Sequence, residues 1–494
     1  MPINPIFSRT LTCLPLLCAL LASRLAGVVP AIPAGSATPT AVHPNILFIV
    51  VDDLNTMLGS YGDRVVKSPN IDRLAARGVR FDRAYSQYPL CNPSRASFLS
   101  GRRPETSGIY DLATPVRSAL PDAVMLPQFF RQQGYYSAGA GKIFHSVRMS
   151  DAASWDRYED GAGDNEQEKA AIQARYGGGD GRPRWHVLDG EGEDTRDGLN
   201  ARTIRRLIGE RSDAGTPFFL AAGFHKPHLP WTAPRRFFEL YAETGIKMPA
   251  EPAMRDIPPI ALQTELSGFA QPESRAGAWR GYFASISFID HQIGLLLDEL
   301  DRRDLWRSTL VVLLGDHGFH LGDHGGLWAK LSAFDAATRV PLLFAGAGVP
   351  AGRVVSTPVE LIDVYPTLVD FAGFSVPAEL HGRSLRPLLD QKAPNAPRAA
   401  YSLVHHYDAA AKRDVAGRTV IGAQWRYTEW DGGAAGREFY WRPDDPGEYR
   451  NRVADPALKA PQTRAKTWLG AVPQPKPGPA NRPRALEAPE TKRK

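Results

Sequence analysis

Two acidic pairs, one cysteine motif and a scatter of histidines and lysines carry the chemistry that this chain of 494 residues can offer. The apolar run Asn45–Val51 (NILFIVV) ends in Asp52 and Asp53, and the run Thr309–Leu314 (TLVVLL) ends, after Gly315, in Asp316 and His317. Either pair alone reads equally well as a loop cap or helix start. Together, at the ends of two separate apolar runs, they point to a metal site, because carboxylates crowded into one cleft repel unless a cation compensates them. Hard oxygen donors favour Ca2+ or Mg2+ over zinc, with His317 as the softer member. Cys91 opens the run Cys91-Asn92-Pro93-Ser94-Arg95, which continues through Ala96-Ser97-Phe98-Leu99-Ser100-Gly101-Arg102. The other cysteines, Cys13 and Cys18, fall in an apolar N-terminal run. Beyond that run Cys91 therefore has no disulfide partner in its own chain, which marks it as a reactive, ligating or modified thiol, with a small buried hydrophobe as the bland alternative.

The elements that must position these groups follow from periodicity. A continuous β-branched run such as Asn45–Val51 suits a strand buried on both faces of a parallel sheet. Residues 280–303 place Phe283, Ile286, Ile289, Ile293, Leu296, Leu297 and Leu300 at helical spacing, and the Thr309 run follows at once. This alternation predicts an α/β fold, a three-layer α/β/α sandwich around a mainly parallel sheet, with ligands beyond the carboxyl ends of the strands. Residues 43–395 form the expected catalytic domain. Within it, 150–215, with Gly177, Gly178 and Gly179 among Asp, Glu and Arg and little periodicity until a helix near Leu199, reads as a surface insertion. Residues 396–470 read as a small antiparallel C-terminal α+β subdomain, because the strand-like Gln424–Trp430 runs into Asp431-Gly432-Gly433, a hairpin turn signal. Trp441 and Glu438-Phe439-Tyr440 are assigned to that sheet. Residues 471–494 are Pro-, Lys- and Arg-rich and read as a disordered basic tail.

Residues 1–34, with Arg9 ahead of the apolar run LTCLPLLCALLA (11–22), read as a secretory signal peptide. That run is shorter than the ~20 residues of a membrane span, and Leu17 before Cys18 disfavours a lipoprotein cleavage site. The expectation is an exported protein, periplasmic or secreted, with no membrane attachment after cleavage. With 43% hydrophobic and 23% charged residues the chain has a globular composition, which excludes collagen, coiled coil and wholesale disorder. The formal charge of +6 sits at the two ends, on Arg9 and Arg24 before residue 35 and on a basic excess after 470, so the body between is neutral. No nucleic-acid surface is indicated, and a local basic pocket remains open.

The run from Cys91 to Arg102 resembles the signature of the type I, formylglycine-dependent sulfatases of the alkaline phosphatase superfamily, C-x-P-S-R followed by a small-residue helix and a Leu/Phe-Ser/Thr-Gly-Arg segment. The likeness extends over roughly His43 to Asn451 and is nearest to the iduronate-2-sulfatase-like branch. It rests there on Gly141-Lys142-Ile143-Phe144-His145, Phe224-His225-Lys226-Pro227-His228, Gly315-Asp316-His317-Gly318, Leu321-Gly322-Asp323-His324-Gly325 and Trp328-Ala329-Lys330. The resemblance implies an alkaline phosphatase-like fold and oxidation of Cys91 to formylglycine by a formylglycine-generating enzyme or equivalent. A formylglycine diol attacks sulfur through one hydroxyl and expels sulfate through the other, which splits one hard displacement into two easier steps. By the same resemblance Asp52, Asp53, Asp316, His317 and modified Cys91 surround one Ca2+. Arg95, Lys142 and His145 hold the diol, His145 serves as base, and His225 and Lys330 grip the sulfate and aid the leaving oxygen. Most of the family has Asn where this chain has His317, which leaves open whether His317 ligates or supports the site.

His228, Trp231, His320, Asp323 and His324 lie near these motifs as candidate pocket residues or ordinary packing. The implied reaction is hydrolysis of a sulfated carbohydrate such as a glycosaminoglycan, with a uronate 2-O-sulfate as the named candidate. The alternatives are a choline or aryl sulfatase, a phosphonate monoester or phosphodiester hydrolase of the same superfamily, and an inactive glycan-binding protein. Asp290-His291 on a helix does not supply the Asp-x-x-x-His pair of the two-zinc relatives, and a binding protein has no use for a modifiable cysteine. Peptide mass spectrometry across Cys91 of active protein is expected to show the thiol sulfur replaced by a carbonyl oxygen; only unmodified thiol in fully active material would overturn the expectation.

Overall fold

The computed structural model describes residues 43–159, 185–242, 246, 250–263, 272–390 and 397–476. The proposed signal peptide, most of the basic tail and the centre of the 150–215 segment lie outside them. Among the described residues no helix is long and apolar enough to cross a membrane.

The Asn45–Val51 strand is buried along almost its whole length and sits inside an eight-stranded sheet. The order across that sheet is Arg353–Val355, Gly78–Phe81, Leu342–Gly346, Thr309–Gly315, Asn45–Val51, Phe218–Phe224, Tyr136–Gly141 and Arg157–Glu159. Leu342–Gly346 pairs antiparallel with both neighbours, and every other pairing in the sheet is parallel. Side chains alternate across a strand, so Asn45–Val51 feeds two cores. Leu47, Ile49 and Val51 pack with Ile71, Leu74, Ile204, Leu207 and the stripe Phe283, Ile286, Ile289 and Ile293. Ile46, Phe48 and Val50 pack with Phe98, Leu99, Phe129, Phe130 and Leu368 on the other face. This is the expected three-layer sandwich. The predicted helix over 280–303 is the C-terminal part of Pro272–Arg302, and the Thr309 strand follows it.

The 150–215 segment differs from the expected surface insertion at both described ends. Arg157–Glu159 is the edge strand of the main sheet, and Arg196–Ser212 is a layer helix that buries Ile204, Leu207 and Ile208. A helix near Leu199 is legible in the sequence, but its polar, Arg-rich composition hid that it packs on the core, because only a narrow apolar stripe meets it.

Beyond residue 396 the chain forms a four-stranded antiparallel sheet, Ala400–Asp408, Arg413–Ile421, Trp425–Trp430 and Gly436–Trp441, followed by the helix Lys459–Gly470. The turn signal is used as expected: Asp431, Gly432 and Gly433 all take positive φ between the last two strands. One face of this sheet joins the body in a shared apolar cluster of Leu403, Val404, Trp430 and Tyr440 with Tyr88, Leu331 and Phe334.

Asp290 has a structural task. It is buried, and its carboxylate accepts from Asn70 N at 3.2 Å, Asn70 Nδ2 at 2.9 Å and Ile71 N at 2.7 Å, capping the helix Pro69–Ala76 from its neighbour. Burial pushes its carboxyl up to about 6. Asp290→Ala is expected to lower stability by about 2–3 kcal/mol, since buried donors lose their acceptor, while kcat/KM of the surviving folded enzyme stays unchanged. Denaturant titration and kinetics on the same preparation check both.

Candidate active site

The neighbouring parallel strands in the middle of the sheet end on the same side, and four of them deliver the predicted groups. Val51 lies in register with Gly315 and with Phe224, so Asp52–Asp53, Asp316–His317 and His225 emerge side by side. Gly141 lies in register with Gly223 and brings Lys142 and then His145 to the same rim. Cys91 is the first residue of the buried helix Cys91–Ser100, which enters this rim with its N-terminus. Asp53 takes φ 57, in the left-handed region, where its carbonyl accepts from Tyr282 Oη at 2.7 Å. A non-glycine residue held there costs on the order of 1 kcal/mol or more, which the Tyr282 contact helps to offset.

Arg95 is wholly buried and engaged on every side. Its Nη2 donates to Asp52 Oδ1 at 3.0 Å and its Nε to Asp316 Oδ2 at 2.9 Å, while Nη1 reaches the carbonyls of Lys142 and Ile143. It is expected at the diol, and here it braces two carboxylates. Lys142 Nζ pairs with Asp52 Oδ2, and Lys330 Nζ donates to Asp53 Oδ1 at 2.8 Å and lies 3.1 Å from Cys91 Sγ. Cys91 Sγ is also 3.3 Å from His317 Nε2 and 4.0 Å from Asp53 Oδ1. The cluster thus brings Asp52, Asp53, Cys91, Arg95, Lys142, Asp316, His317 and Lys330 together, and His228 joins Asp52, Asp53 and Cys91 within 4.8 Å, ligand atom to ligand atom. Sequence context leaves His228 open between pocket and packing; the structure puts it at the cluster.

Titration follows this geometry. Burial pushes Asp52 up, but Lys142 and Arg95 outweigh it and hold the carboxyl well below its usual range. Asp316 is driven well above that range by burial, with Asp52 and Asp53 adding to it against Arg95. Burial, and then Asp52, pushes the Cys91 thiol well up, so the unmodified side chain is no thiolate. Burial holds His317 down to about 3, His145 to about 2 and His225 to about 4, with Lys330 adding to the first and Lys142 to the second. His145 and His225 are therefore neutral near pH 7. Their buried Nδ1 atoms have no hydrogen-bond partner among the described residues, and Asp197 Oδ1 stands 3.7 Å from His225 Nδ1.

The donor set fits a hard divalent cation. His317 Nδ1 lies 2.9 Å from the Gly318 carbonyl, which can only accept, so Nδ1 carries the proton and Nε2 presents a lone pair. That lone pair stands 3.3 Å from Asp53 Oδ1, an acceptor facing an acceptor. A cation held by these donors would turn the clash into coordination and would relieve the repulsion from Asp52 and Asp53 that adds to burial in pushing the Asp316 carboxyl up.

Other predicted neighbours lie elsewhere. Trp231 is fully buried against Tyr282, Phe319 and Trp328 and belongs to the core. Asp323 Oδ2 takes His320 Nδ1 at 2.5 Å and His324 Nδ1 at 2.8 Å, a cluster of its own. Two supporting groups escaped the sequence reading. Asp197, in the segment read as an insertion, accepts from His225 N at 2.7 Å and Lys226 N at 3.0 Å, and Tyr282 sits within a helix stripe that looks purely apolar. Neither carried a local signal, since only the fold brings it to the strand ends.

Comparison with known proteins agrees with this arrangement. The Sulfatase family matches residues 44–374, and the C-terminal part of the N-sulphoglucosamine sulphohydrolase family matches 322–473. A sulfatase of Formosa agariphila is 32% identical over 471 residues, covering 86% of this chain and 87% of its own. Iduronate 2-sulfatase of Homo sapiens is 34% identical over 396 residues, covering 69% and 71%. A solved structure in complex with its substrate D-glucosamine-2-N,6-O-disulfate superposes with a TM-score of 0.72 over 87% of this chain and 97% of that one, at 22% identity, a likeness of fold. With its alkaline phosphatase-like sandwich and a strand-end site built around Cys91, the chain belongs to the sulfatase family and is a sulfuric ester hydrolase.

Proposed function

We propose that this sulfatase is exported and removes sulfate from a sulfated saccharide, a uronate 2-O-sulfate being the leading candidate, using formylglycine made from Cys91 and one bound Ca2+. The observation that carries the reading is the placement of Cys91, buried at a helix N-terminus within 3.1 Å of Lys330 Nζ and 3.3 Å of His317 Nε2. A side chain there meets both the metal donors and the cations that an oxyanion requires. The uronate assignment rests on likeness to iduronate 2-sulfatase, the sequence relative named above.

Asp52, Asp53, Asp316 and His317 would hold the metal, which would supply positive charge beside the reacting sulfate. Formylglycine in its hydrated form would supply the nucleophilic hydroxyl and later the aldehyde that releases sulfate. The remaining work falls to the chain's own residues. Arg95 and Lys142 fix Asp52 and Asp316 in place, so the donors are oriented before any ligand arrives. With all three carboxylates ionised, Asp52, Asp53 and Asp316 would balance Arg95, Lys142 and Lys330, and a divalent ion would turn the cluster net positive, the sign an anionic sulfate ester requires. Neutral His145 has a free ring nitrogen to take a proton, and neutral His225 donates one N–H to a sulfate oxygen or to the leaving oxygen. Lys330 Nζ, already at Cys91 and Asp53, is set to meet charge that develops on the sulfate.

The deciding test measures sulfate released from defined glycosaminoglycan and algal oligosaccharides beside an aryl sulfate, choline sulfate and a phosphonate monoester. Highest kcat/KM on a terminal uronate 2-O-sulfate is expected; much faster turnover of choline sulfate, an aryl sulfate or the phosphonate would overturn the saccharide assignment. Elemental analysis is expected to find one calcium per chain in wild type and its loss in Asp316→Ala, and zinc or no metal in active enzyme would refute the ion. Because His145 and His225 take up protons only below about pH 4, the expected effect of His145→Gln is to lower the kcat/KM profile between about pH 5 and 8 without shifting its acid limb. A displaced limb in that variant would show that His145 titrates in the working range.

A further inference from the structure

Lys330 reaches the site from neither a central strand end nor the Cys91 helix. It comes from the excursion between Thr309–Gly315 and Leu342–Gly346, just past a two-strand hairpin in which His320 pairs with Ala329. Its flanking residues are both left-handed, Ala329 at φ 69 and Leu331 at φ 60. Such a backbone persists only where its surroundings over-determine it. On the Cys91 side Leu331 N donates to Pro89 O at 3.1 Å. The Leu331 carbonyl points the other way, to His406 on the C-terminal strand Ala400–Asp408.

His406 is buried, stacked on Trp430 with ring centroids 4.7 Å apart, and placed between two carbonyl oxygens. Its Nδ1 lies 2.6 Å from Ile260 O and its Nε2 2.5 Å from Leu331 O. A carbonyl oxygen only accepts, so both contacts are hydrogen bonds when both ring nitrogens carry protons, the imidazolium form. Burial opposes that charge, and the two carbonyl acceptors together with the face of Trp430 are what offset it. Pro259–Leu262 carries no titratable side chain, Val415 lies opposite on the next strand, and Glu438 accepts from Trp430 Nε1 at 2.6 Å behind the stacked ring. Lys330, one residue from the bonded carbonyl, has its ammonium at Asp53 and Cys91.

We propose that His406, doubly protonated, is a positioning residue for Lys330: by clamping the Leu331 carbonyl to the C-terminal sheet it holds the left-handed turn that aims Lys330 Nζ at the nucleophile. This rests on the reading of Lys330 as a group that acts on the sulfate. It gives the C-terminal sheet a part in the reaction although that sheet supplies none of the strand ends at the site.

The test compares His406→Gln, which keeps neither charge nor two opposed donors, with Lys330→Ala and the double variant, all checked for folding by thermal melting. His406→Gln is expected to lower kcat by about ten- to a hundredfold, in keeping with displacement of a group at the reacting centre, and to add little to the loss in Lys330→Ala. In His406→Ala, added imidazole is expected to restore activity better near pH 6 than near pH 8, because only imidazolium offers two N–H groups. Wild-type kcat in His406→Gln, full additivity in the double variant, or rescue that is stronger near pH 8 would overturn the proposal. A Lys330→Ala variant with full activity would instead sink the reading of Lys330 itself, so the two failures are distinct. If neither His406 variant folds, histidine-selective 15N spectra of wild type at pH 7 decide: a buried ring with both nitrogens protonated supports the clamp, and its absence refutes it.

Discussion

The constraint on which the rest depends is the burial of three carboxylates at adjacent strand ends. Asp52, Asp53 and Asp316 are each essentially inaccessible, and an unpaired buried carboxylate is too costly to keep ionised. Everything around them answers that cost. Arg95 crosses from Asp52 to Asp316, Lys142 takes the second oxygen of Asp52, and Lys330 takes Asp53. The raised Asp316 and the lone pair of His317 facing Asp53 are the two features that the proposed cation would relieve. The cost is a site whose groups are oriented in advance, so a substrate anion meets charge that needs no rearrangement.

The sequence was legible where local pattern and global position coincide. NILFIVV and TLVVLL announced buried strands, and because they are neighbours in register, the acids that follow them necessarily meet. The Cys91 helix was legible only through the resemblance of its run to the sulfatase signature, which implies a small-residue helix there. Trp231 stayed open between pocket wall and ordinary packing, because an aromatic next to a histidine motif fits both; its ring packs against Phe319 and Trp328. The role of Arg95 could not be read from its neighbours in the chain, since its acidic partners lie 43 and 221 positions away. The helix near Leu199 was legible, but charge along residues 196–212 hid its place in the core and the role of Asp197, which fixes the backbone of His225 and Lys226.

The C-terminal sheet is bound to the site by more than apolar contact. Arg442 holds Asp335 at 2.8 and 2.9 Å, and Arg426 bridges Asp335 at 3.2 Å and Glu448 at 3.1 Å. Glu448 in turn accepts from Asp335 N at 2.9 Å. Asp335 opens the short helix that follows Lys330, so this network anchors the far end of the excursion on which Lys330 rides. Removing one partner of such a buried network typically costs about 3–5 kcal/mol, because the remaining charge is stranded.

Two kinds of support therefore converge on one small cluster. The carboxylates, with Lys142 and Arg95 that brace Asp52 and Asp316, come from the sandwich itself, on strand ends and a buried helix, and could hardly move without unfolding it. Lys330 arrives on a bent loop whose shape is imposed from outside the sandwich, by the Asp335 network at one end and by the His320–Asp323 pair at the other, where His320 Nε2 also meets Ser332 Oγ at 2.6 Å. Rigid register suits metal donors, which must keep fixed spacing whatever the substrate. A separately anchored loop suits the cation that faces the substrate, since its aim can be altered by changing the anchors while the donor cluster stays as it is.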